Sequence, residues 1–183
     1  MTTVDPGDLG LVAGLEIHQQ LDTDTKLFCN CPTEQREAEE SGRQFHRYLH
    51  PTESELGEVD EAALEESRLD REFTYLAYDS TCLVEEDDEP PQPMNPAAVE
   101  TTLEIAALLS MTPVDQAHVM RKVVIDGSNT SGFQRTALLA TDGELQTEDG
   151  AVGIEDLMLE EESARRVEET DAGVVFSLDR ARG

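Results

Sequence analysis

The sequence has no tryptophan, few other aromatic residues and almost no lysine. Aromatic side chains make up 4% of the 183 residues, and Lys26 and Lys122 are the two lysines. The chain carries 41 aspartates and glutamates against 13 lysines and arginines, which gives a formal net charge of -28. It has no basic stripe that would by itself predict nucleic-acid binding.

Such an acidic chain is either intrinsically disordered or folded and adapted to concentrated salt. Apolar runs at residues 103–111, 119–125 and 136–140 interrupt the acids and can supply a core. We therefore favour a folded protein whose surface charges are screened by salt. Its fold is then expected to weaken at low ionic strength.

Long apolar stretches are missing as well. The sequence contains no run of about 18 apolar residues and no apolar N-terminal leader, so we expect neither a membrane span nor a signal peptide. Its 3 cysteines are an odd number and do not make a disulfide framework. These absences predict a cytoplasmic protein. The G-x-S-x-G motif of serine hydrolases is also absent.

The hydrophobic pattern predicts several strands and two helices, which is an α+β composition. Predicted strands cover residues 9–21, 44–50, 73–84, 117–126, 133–140, 151–161 and 174–178. A short helix is predicted at 60–70, with Asp60 as its N-cap, and a longer one at 95–110, where Asn95 is the N-cap and Pro96 follows. The longer helix is expected to bury a stripe formed by Val99, Leu103, Ala106 or Ala107, and Ser110.

The connections follow from turn residues and charge. Asp142-Gly143 and Asp149-Gly150 are both hairpin turn signals. Five consecutive acids at residues 85–89 predict a solvated surface loop.

Residues 14–18, read G-L-E-I-H, carry the first candidate site. In a strand, Leu15 and Ile17 would face the core while Glu16 and His18 stand side by side on the other face. A carboxylate and an imidazole at this spacing can be two ligands of a metal ion. The alternative is an ordinary half-buried strand with two polar residues directed outward.

Two further polar stretches have functional potential. Glu160 and Glu161, in the run L-E-E-E-S-A-R, could complete a Mg²⁺ site begun by Glu16 and His18. The loop 126–132 has a glycine near each end and the uncharged donors Ser128, Asn129, Thr130 and Ser131 between them, which could cradle a phosphate. The alternatives are surface acids and an ordinary polar turn.

The cysteines offer a possible zinc site. Cys29 and Cys31 form one close pair, and Cys82 is far along the chain. With His46 or His50 they could make a Cys3His centre. The alternative is three free, partly buried cysteines.

Four of these stretches, taken in order, resemble the B/E family of tRNA-dependent amidotransferase subunits. They are G-L-E-I-H-Q-Q-L, T-K-L-F-C-N-C, R-K-V-V-I-D-G-S-N-T-S-G-F-Q-R-T and L-E-E-E-S-A-R, at residues 14–21, 25–31, 121–136 and 159–165. The blocks at 82–91 and 126–136 look like the archaeal E type, and the low-lysine acidity suggests a haloarchaeal version. A second cysteine pair found in the bacterial B type is absent, which weakens the zinc hypothesis.

The resemblance implies an activity and a fold. The activity is ATP-dependent, Mg²⁺-dependent amidation of Glu-tRNA(Gln) to Gln-tRNA(Gln), with ammonia supplied by an asparaginase-like partner of the D type. The fold is the N-terminal part of an α+β catalytic domain called the cradle, over residues 1–183, without the helical and tRNA-binding tail domains that follow in the family. A truncated, inactive paralogue that only docks the asparaginase-like partner is the alternative.

The resemblance also implies roles for individual residues. Glu16, His18, Glu160 and Glu161 would lie at the metal and phosphate site. The loop residues Ser128, Asn129, Thr130, Ser131 and Gln134 would line the same pocket with Arg135, and Arg121 and Lys122 are further candidate phosphate partners.

Overall fold

The structure is a computed structural model that describes residues 9–10, 13–51, 53, 56–170, 173–180 and 182–183. Within these ranges the chain forms two helices and two mixed or antiparallel sheets, so the predicted α+β class is confirmed. The helices are α1 (Glu61–Ser67) and α2 (Pro96–Leu108). The strands are β1 (Arg43–Tyr48), β2 (Glu72–Ala77), β3 (Thr112–Pro113), β4 (Val119–Val123), β5 (Phe133–Thr147), β6 (Gly150–Glu160), β7 (Arg165–Thr170) and β8 (Gly173–Ser177).

The first sheet has the strand order β1-β2-β8-β7. β2 and β8 pair in parallel and the outer strands pair antiparallel to them. Apolar side chains alternate along the two central strands and form a buried cluster of Phe73, Tyr75, Val174, Phe176 and Leu178. The rings of Tyr75 and Phe176 stack with centroids 5.8 Å apart.

The second sheet is built on the long β5–β6 hairpin, and β3 and β4 pair with successive parts of β5. Helix α2 packs on it. As predicted, the side chain of Asn95 caps the helix, accepting a hydrogen bond from Ala97 N at 2.9 Å, and Pro96 opens its first turn. The hairpin turn predicted at Asp149-Gly150 is confirmed, because Thr147 pairs with Gly150.

The stripe predicted for α2 is confirmed at Ala106 but is wrong at Leu103. The buried residues of this helix are Ala98, Thr102 and Ala106, whereas Leu103 is 40% exposed. Ala98 and Ala106 join the clusters that contain Ala137 and Ala140 of β5. Small side chains on both elements let the helix lie close to the sheet, and the larger leucine is left at the edge of the contact.

The first predicted strand is also wrong where the chain is described. Residues 13–20 belong to no strand, and Leu15 and Ile17 are 93% and 86% exposed. Residues 11–12 of that prediction lie outside the described ranges. Alternation gives a segment two faces, but a strand also needs a neighbour for its backbone groups. Here Leu21 N, donating to Gly183 O at 3.0 Å, ties the end of the segment to the rest of the chain.

The hairpin turn predicted at Asp142-Gly143 does not form, since β5 continues through it to Thr147. Asp142 takes a left-handed conformation inside the strand, with φ of 57°. A Cβ on Gly143 would lie 2.3 Å from the Met111 side chain. The glycine therefore allows the close approach of Met111 and does not make a turn.

The remaining strand predictions are confirmed with shifted ends, and β3 and β7 were not predicted. The strand expected at 73–84 ends at Ala77, where Tyr78 N donates to Thr81 Oγ1 at 3.0 Å in a turn. Among the described residues, no helix is long and apolar enough to cross a membrane.

Candidate functional site

The two glutamates at the end of β6 point in opposite directions, because successive residues of a strand alternate between faces. Glu160 is half-buried, and its Oε1 accepts from Thr136 Oγ1 at 3.0 Å and from Lys122 Nζ at 3.3 Å. Glu161 is 6% exposed, and Arg135 NH1 donates to both of its carboxylate oxygens at 3.0–3.1 Å. From the sequence, both glutamates were predicted to bind the same metal ion.

Glu16 and His18 lie on the same surface as Glu160. His18 Nε2 is 3.1 Å from Glu16 Oε1, and both side chains are exposed. Lys122 Nζ lies 3.6 Å from Glu16 Oε1 and 3.3 Å from Glu160 Oε1. An ammonium group thus sits between two of the predicted metal-binding carboxylates, whereas Glu161 belongs to the interior.

The polar loop 126–132 forms one wall of a small polar cleft of about 30 Å³ that is open to solvent. Five of the six residues predicted to bind substrate or phosphate line it together with Glu161: Ser128, Asn129, Thr130, Ser131 and Arg135. The sixth, Gln134, supports the cleft, because its Nε2 donates to the backbone oxygen of Glu161 at 2.6 Å. The loop and the end of β6, far apart along the chain, therefore lie next to each other.

The shape of the loop depends on local hydrogen bonds and on a glycine. Asp126 Oδ1 accepts from Ser128 N at 2.9 Å, which makes a tight polar turn. Gly127 has φ of 78°, and a Cβ there would lie 2.2 Å from the Phe73 ring. Its carbonyl accepts from Tyr75 Oη at 2.6 Å, so the first sheet holds the loop from behind.

The loop has both used and unused donors. Thr130 Oγ1 donates to Glu85 O at 2.6 Å and Ser131 Oγ to Phe133 O at 2.8 Å. The backbone N–H groups of residues 129–131, in contrast, donate to no acceptor in the part of the chain that the structure describes. Three consecutive amides beside a cleft can bind an anion.

Charged groups line the opposite side of the cleft. Arg135 NH2 also lies 3.4 Å from Val84 O and 3.7 Å from Asp87 Oδ1. Arg180, which no sequence pattern had singled out, pairs with Glu162 at 3.0 Å on the rim. Burial raises the pKa of Glu161, and the Arg135 guanidinium opposes that rise.

The acidic run 85–89 is only in part the solvated loop that was predicted. Glu85 and Glu86 are 7% and 2% exposed. Lys26, which is fully buried, places its Nζ 2.6 Å from Glu85 Oε1 and 2.7 Å from Ser80 O. Glu86 pairs with Arg43. Burial raises the pKa of Glu85 to about 7, against the lowering effect of Lys26.

Glu85 and Glu86 are buried because each has a basic partner, whereas residues 87–89 of the run are exposed, as predicted. One feature of the sequence pointed to a buried partner for Glu85. Lys26 is one of only two lysines in a chain whose other basic residues are arginines.

The cysteines are free thiols and cluster with Glu85. One ligand atom from each of Cys29, Cys31, Cys82 and Glu85 lies within 4.8 Å of all the others. The predicted fourth ligand is wrong, since no histidine of the described residues joins this group. His46 on β1 contacts Thr74 and Glu72 on the neighbouring β2, at 3.0 and 3.2 Å.

A sequence profile described as the GatB/GatE catalytic domain matches residues 11–182. The chain belongs to this family. It is 72% identical to the E subunit of glutamyl-tRNA(Gln) amidotransferase from Natronomonas pharaonis over 96% of its length, and 69% identical to the protein of the same name from Haloarcula marismortui over 98%.

More distant relatives carry the same name, such as that of Methanosarcina barkeri, which is 56% identical over 98% of the chain. The chain spans only 28–29% of the length of these relatives. The names Natronomonas and Haloarcula indicate halophilic archaea, in agreement with the acidic composition.

Proposed function

We propose that this chain is the N-terminal catalytic part of an E-type amidotransferase that converts Glu-tRNA(Gln) to Gln-tRNA(Gln) with ATP. Within the family, one observation carries the proposal: the loop 126–132, Arg135 and Glu161 form a single cleft. The surface that holds Glu16, His18 and Glu160 is tied to the same hairpin through Lys122.

The side-chain carboxylate of the tRNA-bound glutamate is a poor acyl donor and has to be activated. Transfer of the γ-phosphoryl group of ATP to the glutamate side-chain carboxylate forms an acyl phosphate and ADP. Ammonia then attacks the carbonyl carbon, the C–O bond to phosphate breaks, and the amide, inorganic phosphate and a proton result. The protein has to bind several negative charges that shift during these steps.

The loop suits the anionic groups of this reaction. The N–H groups of residues 129–131, which have no acceptor among the described residues, can donate to a carboxylate or phosphoryl oxygen. Arg135 already has a carboxylate partner in Glu161, so we assign this pair to positioning the cleft. Arg180 at the rim also has a carboxylate partner, Glu162, so the uncharged donors of the loop are the groups best placed to bind an anion.

Mg²⁺ is used in this reaction with ATP. Lys122 Nζ lies within 3.6 Å of both Glu16 and Glu160, so a metal ion bound between these carboxylates would have to displace it. Glu16, His18 and Glu160 would hold the metal, which would neutralise charge on the transferred phosphoryl group. Glu161 fits this role poorly, because its side chain is buried against Arg135 and does not reach the surface that holds Glu16, His18 and Glu160.

The partner in this proposal is an asparaginase-like protein that releases ammonia, in the cytoplasm. A second candidate function is docking of that partner without catalysis. The nearly complete exposure of Leu15 and Ile17 favours it, since apolar side chains beside a polar site are often covered by another protein.

A chimera tests the proposal. This chain replaces the matching 176-residue segment of the Natronomonas pharaonis relative, and Gln-tRNA(Gln) formation is measured in concentrated KCl with the asparaginase-like partner of that organism. We expect an active chimera. Glu16→Ala or His18→Ala should abolish amidation while the amidase activity of the partner remains measurable.

Glu155→Ala is the matched control, because Glu155 is an exposed acid in the middle of β6 without a described partner. Unchanged Gln-tRNA formation in both Glu16→Ala and His18→Ala would refute the assigned site. An inactive chimera that still binds the asparaginase-like partner would favour docking alone.

A further inference from the structure

Three thiols and one carboxylate meet where the loop 25–32 packs against the loop 82–89. Their ligand atoms all lie within 4.8 Å of one another. Ligands of a tetrahedral zinc ion with bonds near 2.3 Å are about 3.8 Å apart, so closure needs only a small contraction. We propose that Cys29, Cys31, Cys82 and Glu85 bind one structural Zn²⁺, with Glu85 as the fourth ligand.

Both ligand-bearing loops are held by backbone hydrogen bonds that do not involve a metal. Lys26 N donates to Cys31 O at 3.0 Å and closes the turn that carries two of the cysteines. Glu85 N donates to Cys82 O at 3.0 Å, and Cys82 N donates to Glu85 Oε2 at 3.1 Å. A site that is ordered in advance loses little conformational entropy when the ion binds.

The donor set selects the metal. Thiolates are soft ligands, and three of them with one oxygen suit tetrahedral Zn²⁺ and exclude Mg²⁺ and Ca²⁺, which prefer oxygen ligands. Burial raises the pKa of Cys29 and Cys31. Zinc binding would displace the thiol protons to solvent.

Lys26 completes the site as an outer partner. Three thiolates and a carboxylate bring four negative charges, of which Zn²⁺ neutralises two. The Lys26 ammonium, fully buried and 2.6 Å from Glu85 Oε1, neutralises a third and fixes the orientation of that carboxylate. Partners of this kind orient metal ligands in many metalloproteins.

The proposed zinc site lies directly behind the cleft, so a bound ion would also stabilise the cleft. The backbone oxygen of Glu85 accepts from Thr130, and that of Val84 accepts from Arg135, so the loop 82–89 supports the cleft directly. An ion that joins this loop to residues 29–31 would stabilise the cleft wall from behind. The site is separate from Glu16, His18 and Glu160.

Metal content of the wild-type chain is the primary test. The protein is purified in concentrated KCl under reducing conditions with zinc supplied, then dialysed and measured by mass spectrometry for zinc. We expect one zinc per chain. Replacement by Co²⁺ should give thiolate-to-cobalt charge-transfer bands and the intense visible bands of a tetrahedral site.

Variants assign the ligands by competition with a zinc-binding dye. Cys82→Ser and Glu85→Ala should weaken zinc binding by about tenfold or more. Glu85→Cys should retain zinc and shift the cobalt bands toward those of four thiolates. Glu89→Ala is the control, because Glu89 is an exposed acid of the same loop, and it should bind zinc as the wild type does.

Two results would overturn the inference. Wild-type protein that holds no zinc after refolding with the ion excludes the site, and this measurement does not depend on any variant. Unchanged zinc affinity in Glu85→Ala removes the fourth ligand. Neither result depends on amidation, so failure here and failure of the proposed activity can be told apart.

Discussion

Two regions of this chain reverse the usual relation between residue type and burial. Residues 13–20 alternate apolar and polar side chains, yet Leu15 and Ile17 are 93% and 86% exposed. The acidic run beginning at Glu85 was expected in solvent, yet its first two residues are 7% and 2% exposed. Apolar character did not bury the first region, and charge did not expose the second.

The difference lies in the partners available to each region. Glu85 and Glu161 enter the interior because Lys26 and Arg135 lie there to neutralise them. Residues 13–20 have no adjacent strand among the described residues, so their alternating pattern has no surface to pack against. In a chain with 13 basic side chains against 41 acids, the position of each base decides which acids can be buried.

The largest expected effect comes from removing salt. Exposed acids dominate a net charge of -28, and their repulsion is screened only at high ionic strength. Buried pairs such as Arg135–Glu161 are screened much less. Transfer from concentrated KCl to low-salt buffer should therefore abolish the native far-ultraviolet circular dichroism spectrum.

A neutral polyol at matched osmolarity separates screening from dehydration, and should not restore the spectrum. Full native secondary structure without added salt would mean that the exposed acids do not govern stability.

The second largest effect is expected when the buried carboxylate of Glu161 loses its partner. Arg135 and Glu161 are 7% and 8% exposed, so Arg135→Met leaves a buried carboxylate without its partner. We expect a loss of about 3–5 kcal/mol in the free energy of unfolding, measured with urea in concentrated KCl. The double variant Arg135→Met/Glu161→Gln should lose less, because the uncompensated charge is gone.

Arg166→Met is the matched control. Arg166 pairs with Glu169 at the surface, where both side chains are about half exposed. It should cause no resolvable change. A similar loss in Arg135→Met and Arg166→Met would contradict the role given to burial.

Local signals predicted much of the fold. Asn95 and Pro96 fix the start of α2, Asp60 caps α1 through Ala63 N, and Asp149-Gly150 makes the β5–β6 turn, because each acts over a few residues. Parallel pairing of β2 with β8 joins residues that are distant along the chain. Its partner choice depends on tertiary packing that no local pattern contains.

The candidate site, like the fold, could be predicted from the sequence only in part. Polar residues of the loop 126–132 lie in one cleft with Arg135, since the loop leads directly into β5, which carries Arg135. The opposite directions of Glu160 and Glu161 follow from strand geometry and could have been predicted. Burial of Glu85 could not, because it depends on Lys26, 59 residues earlier in the chain.

A third, smaller effect compares two leucines. Leu27 is fully buried in the cluster beneath α2, whereas Leu15 is 93% exposed. Leu27→Ala should lower the free energy of unfolding by about 2–5 kcal/mol through lost burial and a residual cavity. Leu15→Ala should change it by less than about 0.5 kcal/mol. Equal losses in the two variants would mean that residues 13–20 pack against the domain in solution.

The smallest expected effect on folding concerns the carboxylate at Glu16. Its ion pairs with His18 at 3.1 Å and Lys122 at 3.6 Å are exposed, and concentrated salt screens them. Glu16→Gln keeps the shape of the side chain and should leave the urea midpoint unchanged, although amidation by the chimera is lost. That combination assigns the loss of activity to the charge of Glu16 and not to the fold. If the midpoint instead fell as far as it does in Leu27→Ala, the segment would be part of the folded core, and the loss of activity could no longer be attributed to an exposed metal ligand.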